Sequence, residues 1–182
     1  LDALHNDLDI PVIYVTHSPD EASRLADHLL LLDHGKVIGS GPINDMLTRF
    51  DLPMSHGREA TSLIDAKVAG REKEFDLMQL DFPGGQFTVP DNSLAINTSV
   101  RLRVSARDVS LTKEQQIGTS ILNIFPAVVD ELALEGKAQI MVRLKIKEVT
   151  LLALITRKSA EMLNLKNGVK VFAQIKSVAI LS

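Results

Sequence analysis

His17 is the residue whose type and position first indicate chemistry. It directly follows residues 11–16, a nearly all-apolar, β-branched run that is typical of a strand buried in a parallel sheet. Ser18 is a candidate helix N-cap, and Glu21 three residues later completes a capping box. Ligands of open α/β sheets bind beyond the carboxyl ends of the strands, where helix N–H groups attract anions. The pattern favours a phosphate beside His17; the alternative is an ordinary loop histidine.

The elements around His17 have the order of an α/β domain. Apolar residues at helical spacing follow Ser18, residues 29–32 predict a second buried strand, and residues 33–36 predict a tight turn that returns the chain. Residues 1–9 keep helical spacing before the first strand, and Pro42 can open a short helix that runs to Phe50. We therefore predict an α/β unit over residues 1–50.

Residues 14–42, YVTHSPDEASRLADHLLLLDHGKVIGSGP, resemble the switch-histidine segment and following hairpin of ATP-binding cassette (ABC) transporter ATPases. In that family the histidine contacts the γ-phosphate of ATP across a closed dimer of nucleotide-binding domains. The resemblance therefore implies that His17 is a catalytic and ATP-binding residue. An imidazole can donate a hydrogen bond to phosphate oxygens in either protonation state, which agrees with this role.

Other motifs of that family are not found in the sequence. It contains no Gly-x-x-x-x-Gly-Lys-Ser/Thr phosphate loop, no apolar run ending in Asp-Glu and no Leu-Ser-Gly-Gly-Gln signature. We read the chain as a carboxyl-terminal fragment of an ABC ATPase and expect it to be inactive alone. ATP and Mg²⁺ would be bound mainly by a preceding part of the full-length protein.

Composition narrows the class of protein. A chain of 182 residues with net charge −3 suits one large or two small soluble domains, without a membrane-spanning stretch or signal peptide. The absence of Cys excludes disulfide scaffolds and thiolate metal sites, and we expect no metal site. One Tyr, no Trp and a slight acidic excess argue against a nucleic-acid partner.

From about residue 62 the apolar period changes from helical to alternating, which predicts a β-rich region to the end of the chain. Residues 51–61 carry Pro and Gly without periodicity and are predicted to be a linker, in which His56 is exposed. The triplet at 127–129 repeats the one at 66–68, and residues 175–180 repeat 106–111. We predict a double barrel of the oligonucleotide/oligosaccharide-binding (OB) type, with halves at residues 62–115 and 116–182.

Two basic stripes alternate with apolar residues in this region. We expect Arg101 and Arg103 to share one solvated face, where ion pairing or plain solubility explains them better than a ligand site does. The stripe of Arg143, Lys145 and Lys147 is also expected to be solvated.

Residues 118–123 resemble the Ser-x-x-Asn motif of the molybdate-binding (Mop) domain, and residues 172–180 resemble the last strand of that domain. The resemblance implies an oxyanion site made by Ser120, Asn123, Lys176 and Ser177, whose hydroxyl, amide and ammonium groups suit a tetrahedral oxyanion.

Two positions depart from the Mop pattern. Leu122 stands where that family often has Arg, and Pro126 where a basic residue is common. The alternative interpretation is that Ser120 and Asn123 hydrogen-bond a turn, and that Lys176 protects an edge strand from pairing.

Together the resemblances predict the α/β tail of a P-loop ABC ATPase domain, followed by an all-β, OB-like double barrel of Mop/TOBE type. They imply the ATP-binding subunit of a molybdate or tungstate importer, with the oxyanion also as regulatory ligand. This subunit would be a homodimer that lies peripherally on the cytoplasmic face of the plasma membrane and binds transmembrane permease subunits. A periplasmic or extracellular molybdate-binding protein would be an indirect partner.

Three alternatives stay open. The chain could belong to a molybdate storage or sensor protein without an ATPase, or to an importer ATPase for sulfate or another solute. An OB-like fold also admits a nucleic-acid-binding barrel, although fold alone is weak support for that function.

Overall fold

The computed structural model of the chain describes residues 11–181. A short amino-terminal segment contains α1 (Pro19–Leu25), β1 (His28–Asp33), β2 (Lys36–Pro42) and α2 (Ile43–Met46). A 3-10 turn at Pro53–Ser55 precedes the β-rich region, whose first strands are β3 (Thr61–Glu72), β4 (Leu77–Phe82), β5 (Gly85–Pro90), β6 (Ser99–Ser105) and β7 (Val109–Thr112). The later elements are β8 (Asn123–Glu135), β9 (Gln139–Ile146), β10 (Val149–Thr156), α3 (Arg157–Met162), β11 (Lys170–Ile175) and β12 (Ala179–Leu181).

The amino-terminal segment corrects two expectations. Residues 11–16 do not form the predicted strand, and Ile13 and Val15 are 92% and 89% exposed. A strand needs a hydrogen-bonding neighbour, and no strand within the described range lies beside this run. The second predicted strand forms as β1, but it pairs only with β2 in an antiparallel hairpin, so Leu30 and Leu32 are exposed rather than buried. The helix expected at residues 1–9 lies outside the described residues.

The β-rich region consists of two five-stranded antiparallel sheets with one repeated strand order. The first sheet has the order β5-β4-β3-β6-β12, and the second has the order β10-β9-β8-β11-β7. Each sheet therefore takes one edge strand from the opposite half of the sequence. β7 pairs with β11, with Ile175 opposite Val109, and β12 pairs with β6, with Ala179 opposite Arg103. The predicted all-β double barrel is confirmed, and its halves exchange their last strands.

One apolar core joins the two sheets. The rings of Phe82 and Phe87 from the first sheet pack against Phe125 from the second, with centroid distances of 4.8 to 5.1 Å. Phe87 is completely buried. The same cluster of buried side chains includes residues of both sheets, such as Leu102 and Leu144. The double barrel is therefore built around a shared core rather than two separate ones.

Candidate functional site

His17 is exposed and stands immediately before α1, as the sequence predicted. Ser18 caps the helix, since its hydroxyl oxygen accepts a hydrogen bond of 3.3 Å from the backbone N–H of Glu21. Glu21 does not complete the capping box. Its carboxylate instead accepts hydrogen bonds from the hydroxyls of Thr16 and Tyr14, on the other side of His17.

These hydroxyl contacts fix the backbone on both sides of His17. The hydrogen bonds from Thr16 and then Tyr14, with the nearby His17, lower the pKa of the Glu21 carboxyl below its usual value. The backbone N–H of Ser18 also donates to the Thr16 hydroxyl over 3.0 Å. The imidazole of His17 is therefore presented to solvent from a loop with internal hydrogen bonds.

Two arginines of the first sheet hold the segment that follows His17. Arg101 donates to the carbonyl oxygen of Ala26 over 2.7 Å and forms ion pairs with Asp27 and Asp65 over 3.2 and 3.1 Å. Arg103 forms an ion pair of 2.6 Å with Asp20, in the first turn of α1. Of the two explanations left open for this basic stripe, ion pairing applies, and the pairs connect the His17 loop with the barrel.

The four residues of the predicted oxyanion site lie at one end of two neighbouring strands. Asn123 is the first residue of β8 and pairs with Ile175, the last residue of β11. Lys176 and Ser177 follow Ile175 directly, and Ser120 precedes Asn123 by three residues. The register therefore brings together two chain segments that are separated by more than fifty residues in sequence.

Both polar atoms of the Asn123 side chain form hydrogen bonds with the backbone of β5. Its Oδ1 accepts a 2.8 Å hydrogen bond from the N–H of Thr88, and its Nδ2 donates over 3.0 Å to the carbonyl oxygen of Thr88. Asn123 is 9% exposed. The amide thus ties the start of the second sheet to the first sheet.

The other residues at this end have exposed side chains. They are Ser120, Leu122, Lys176 and Ser177, with Leu122 63% exposed. Lys176 does not lie on an edge strand, so the interpretation of its side chain as a guard against pairing is wrong. It belongs to the connection between β11 and β12, where its N–H donates over 3.0 Å to the carbonyl oxygen of Asp108. Hydroxyl and ammonium groups at this end are therefore open to a ligand from solvent.

His56 was expected to be exposed in a linker, and that expectation is wrong. Its Nδ1 contacts a carboxylate oxygen of Glu135 at the end of β8, and its Nε2 lies 2.8 Å from the carbonyl oxygen of Phe50. The N–H of Gly57 donates to the second carboxylate oxygen of Glu135 over 3.1 Å. The carbonyl of Phe50 and then Glu135 raise the pKa of His56 above its usual 6.5. Arg143, over the ring of Phe50, also faces this contact.

This contact predicts a pH dependence of stability. Because folding raises the pKa of His56, its stabilising effect is complete below about pH 6.5 and is lost as the pH rises through the higher folded pKa. We expect the melting temperature of the wild-type chain to fall over this range and the fall to be smaller in His56→Gln. His34→Gln, in an exposed turn, is the matched control and should keep the wild-type slope. Equal slopes in the wild type and His56→Gln would contradict the prediction.

Two kinds of feature are absent from the part of the chain that the structure describes. Within residues 11–181, no group of three or more His, Asp or Glu side chains is placed to hold a metal ion. No helix in the same range is long and apolar enough to cross a bilayer.

The chain is similar to one domain family and to several known proteins. Residues 119–181 match the family described as TOBE domain. The chain is 43% identical over 182 residues to the molybdenum import ATP-binding protein ModC of Methylococcus capsulatus, covering 100% of this chain and 51% of that protein. It is 46% identical over 181 residues to the protein of the same name from Albidiferax ferrireducens, covering 49% of it.

A solved structure resembles the double barrel. The cytoplasmic molybdate-binding protein ModG, crystallised with molybdate bound, superposes with a TM-score of 0.57 and 22% identity, over 65% of this chain and 94% of that one. At this identity the likeness supports the fold alone. The chain spans about half the length of the curated relatives that it matches. The similarity to the TOBE domain family is limited to residues 119–181, whereas the similarity to the molybdenum import ATP-binding proteins runs along all of this chain and about half the length of those proteins.

Proposed function

We propose that the chain is the carboxyl-terminal part of the ATP-binding subunit of an ABC importer for molybdate or tungstate. One observation carries the proposal: the similarity to molybdenum import ATP-binding proteins runs through all 182 residues, not only through the barrels. Residues 1–50 are assigned to the end of the ATPase domain and residues 51–61 to the linker. Residues 62–115 and 116–182 are assigned to the halves of a regulatory oxyanion-binding domain.

In this proposal His17 contacts the γ-phosphate of ATP. Its exposed position, in a hydrogen-bonded loop near the carboxylate of Glu21, supports that role, because the imidazole is open to a ligand from solvent. One imidazole cannot hold a nucleotide by itself. ATP and Mg²⁺ would therefore be held mainly by residues outside this chain, and the chain alone would not hydrolyse ATP. Hydrolysis in the full-length subunit would drive the transport step.

The oxyanion site is proposed at the adjoining ends of β8 and β11. Ser120, Lys176 and Ser177 would contact the anion, because their side chains are exposed at the same end. Asn123 belongs to this site as the residue that positions it, since its amide is engaged by Thr88. Leu122 offers no charge to the anion, so the single ammonium of Lys176 would supply the compensation that a bound dianion requires.

The remaining assignments concern the assembly. We propose a homodimer that lies peripherally on the cytoplasmic face of the plasma membrane, against transmembrane permease subunits. A periplasmic or extracellular molybdate-binding protein would deliver the oxyanion to those permeases, without contact with this subunit. No nucleic-acid partner is proposed.

The storage or sensor protein is the second candidate. Such a protein would need little more than the barrels, since 94% of the cytoplasmic molybdate-binding protein that shares this fold superposes on this chain. The amino-terminal segment favours the importer instead, because it matches the ATP-binding relatives and is held to the barrel by Arg101 and Arg103. A third candidate, an importer for sulfate or another solute, would differ from the proposed importer in the solute that it binds.

Calorimetric titration of the whole chain tests the proposal. We expect molybdate and tungstate to bind and sulfate not to bind. Lys176→Ala and Ser120→Ala should each weaken molybdate binding by about tenfold or more, because each removes a hydrogen bond to a charged ligand. Lys158→Ala, on the exposed side of α3, is the matched control and should bind like the wild type. Binding of sulfate alone would favour the sulfate importer, and a folded chain without heat from any anion would refute the regulatory site.

A further inference from the structure

A cleft on the outer face of the second sheet combines an apolar floor with a basic rim. This lysine cleft encloses about 360 Å³, and its floor includes Pro126, Val128 and Phe172. Four lysines line it: Lys113, Lys145, Lys147 and Lys170. A volume of this size is typical of small-molecule sites, which are mostly apolar and contain a few polar or charged groups. The lysine cleft is therefore a candidate ligand site.

The strand register places two of the charges on opposite sides of the floor. Val128 of β8 pairs with Lys145 of β9 on one side and with Lys170 of β11 on the other. Side chains of directly paired residues lie on the same face of a sheet. Because neighbouring strands are about 4.8 Å apart, the backbones of the two lysines are about 10 Å apart. This separation leaves room for a flat ring over Val128.

The other two lysines lie in connections that border the floor. Lys113 directly follows Thr112, the last residue of β7, which pairs with Phe172. Lys147 lies in the turn between β9 and β10. Positive charge from two strands, one strand end and one turn therefore converges on a single floor. Such convergence suits one compact ligand better than an extended peptide, which would place its charges along a line.

The lysines are available to a ligand. All four side chains are exposed, and Lys145 donates to the hydroxyl of Thr150 over 2.6 Å. Within residues 11–181, none of the four forms an ion pair. Each ammonium group can therefore turn toward an anion without first breaking an ion pair with this part of the chain.

The acidic residues near the lysine cleft do not neutralise it. Asp130 and Glu131 are both engaged by Arg143, over 2.7 Å each. Glu114 and Glu148 directly follow two of the lysines in sequence, but neither lines the cleft. The described residues that line it include no carboxylate. The cleft therefore keeps a positive charge that an anionic ligand can compensate.

The lining also indicates the class of anion. An ammonium group on a flexible stem acts as a point charge that suits phosphate oxygens, whereas the fork of an arginine suits a carboxylate. Among the described lining residues the basic ones are all lysines. An inorganic anion would leave the apolar floor uncovered, but a flat apolar group can stack on Phe172 and Pro126. A ligand with both parts, an aromatic ring and a short chain of phosphates, uses the whole cleft.

We propose that the lysine cleft binds a nucleoside polyphosphate, with the base on the apolar floor and the phosphates among the lysines. The proposal goes beyond the proposed function and does not rest on it, because it uses neither His17 nor any residue of the oxyanion site. Pro126 is three residues along β8 from Asn123, so the floor begins about 10 Å from that site. A nucleotide in the lysine cleft would therefore be a separate ligand.

Calorimetric titration of the whole chain with ATP tests this site. We expect saturable binding of ATP. Inorganic tripolyphosphate, which lacks the base, and adenosine, which lacks the phosphates, should each bind about tenfold more weakly or less, because each makes only part of the contacts. Lys145→Ala/Lys170→Ala should weaken ATP binding by about tenfold or more, since two charge-assisted hydrogen bonds are lost. Lys137→Ala/Lys158→Ala, at exposed lysines outside the cleft, is the matched control and should bind like the wild type.

The floor is tested by Val128→Asp. The Val128 side chain is 38% exposed, so a carboxylate is tolerated there, and it should weaken ATP binding by about tenfold or more through repulsion of the phosphates. Val128→Thr keeps the shape without the charge and should retain most of the affinity. Far-ultraviolet circular dichroism checks that each variant is folded.

Four results would overturn the proposal. They are a folded wild type that does not bind ATP, tripolyphosphate that binds as tightly as ATP, ATP binding that survives in Lys145→Ala/Lys170→Ala, and equal affinity of Val128→Asp and the wild type. Survival in the lysine variant would place the nucleotide elsewhere on the chain. A chain that sediments with phosphatidylserine vesicles but does not bind ATP would assign the lysine cleft to a membrane surface instead.

Discussion

Phe87→Ala is expected to lower the free energy of unfolding by about 3 to 5 kcal/mol. The ring is completely buried and lies 4.8 Å, centroid to centroid, from both Phe82 and Phe125. Phe125 belongs to the second sheet, so the cavity would open where the two sheets meet. Urea denaturation should show the loss as a shift of the midpoint.

The number of steps in the unfolding transition is as informative as its midpoint. Because the two sheets share one core, we expect wild type and Phe87→Ala to unfold in a single step. Ile117→Ala, at a side chain that is 97% exposed, is the control and should change stability by less than about 0.5 kcal/mol. Two separate transitions in the wild type would contradict the shared core.

Asn123→Ala should cost about 2 to 3 kcal/mol of stability, because it leaves the N–H and the carbonyl of Thr88 without their partners. Asn123→Asp should not restore stability, since a carboxylate can accept from the N–H but cannot donate to the carbonyl. Thermal unfolding measures both variants. Asn92→Ala, at an exposed position, is the matched control and should be neutral.

The same variant separates the two interpretations of the Ser-x-x-Asn motif. If Asn123 positions the site, Asn123→Ala should lower both stability and molybdate affinity, whereas Ser120→Ala should lower affinity alone. A stable Asn123→Ala chain that has lost molybdate affinity would instead place the amide in contact with the anion.

Much of the β-rich region could be predicted because alternation reports which side chains face a core. The strand at Val100–Val104 and the strand at Ile140–Ile146 are examples, and both form. Alternation does not report which strand lies beside which. The repeat of residues 106–111 at 175–180 was therefore visible in the sequence, but the exchange of β7 and β12 between the sheets was not.

The wrong predictions share a cause, because each concerns a residue or segment whose partner lies far away in sequence. Residues 11–16 have the composition of a buried strand, yet composition cannot supply the neighbour that a strand needs. His56 and Glu135 are 79 residues apart in sequence, so no local pattern could place them in contact.

The exchanged strand β12 makes a short covalent connection between the proposed oxyanion site and the arginines that hold the segment behind His17. Lys176 and Ser177 are followed by only one residue before β12, whose Ala179 pairs with Arg103 and whose Leu181 pairs with Arg101. Three residues of chain can span at most about 10 Å, so the connection has little slack. The backbone therefore connects Lys176 directly to β6, whose two guanidinium groups hold the segment that follows His17.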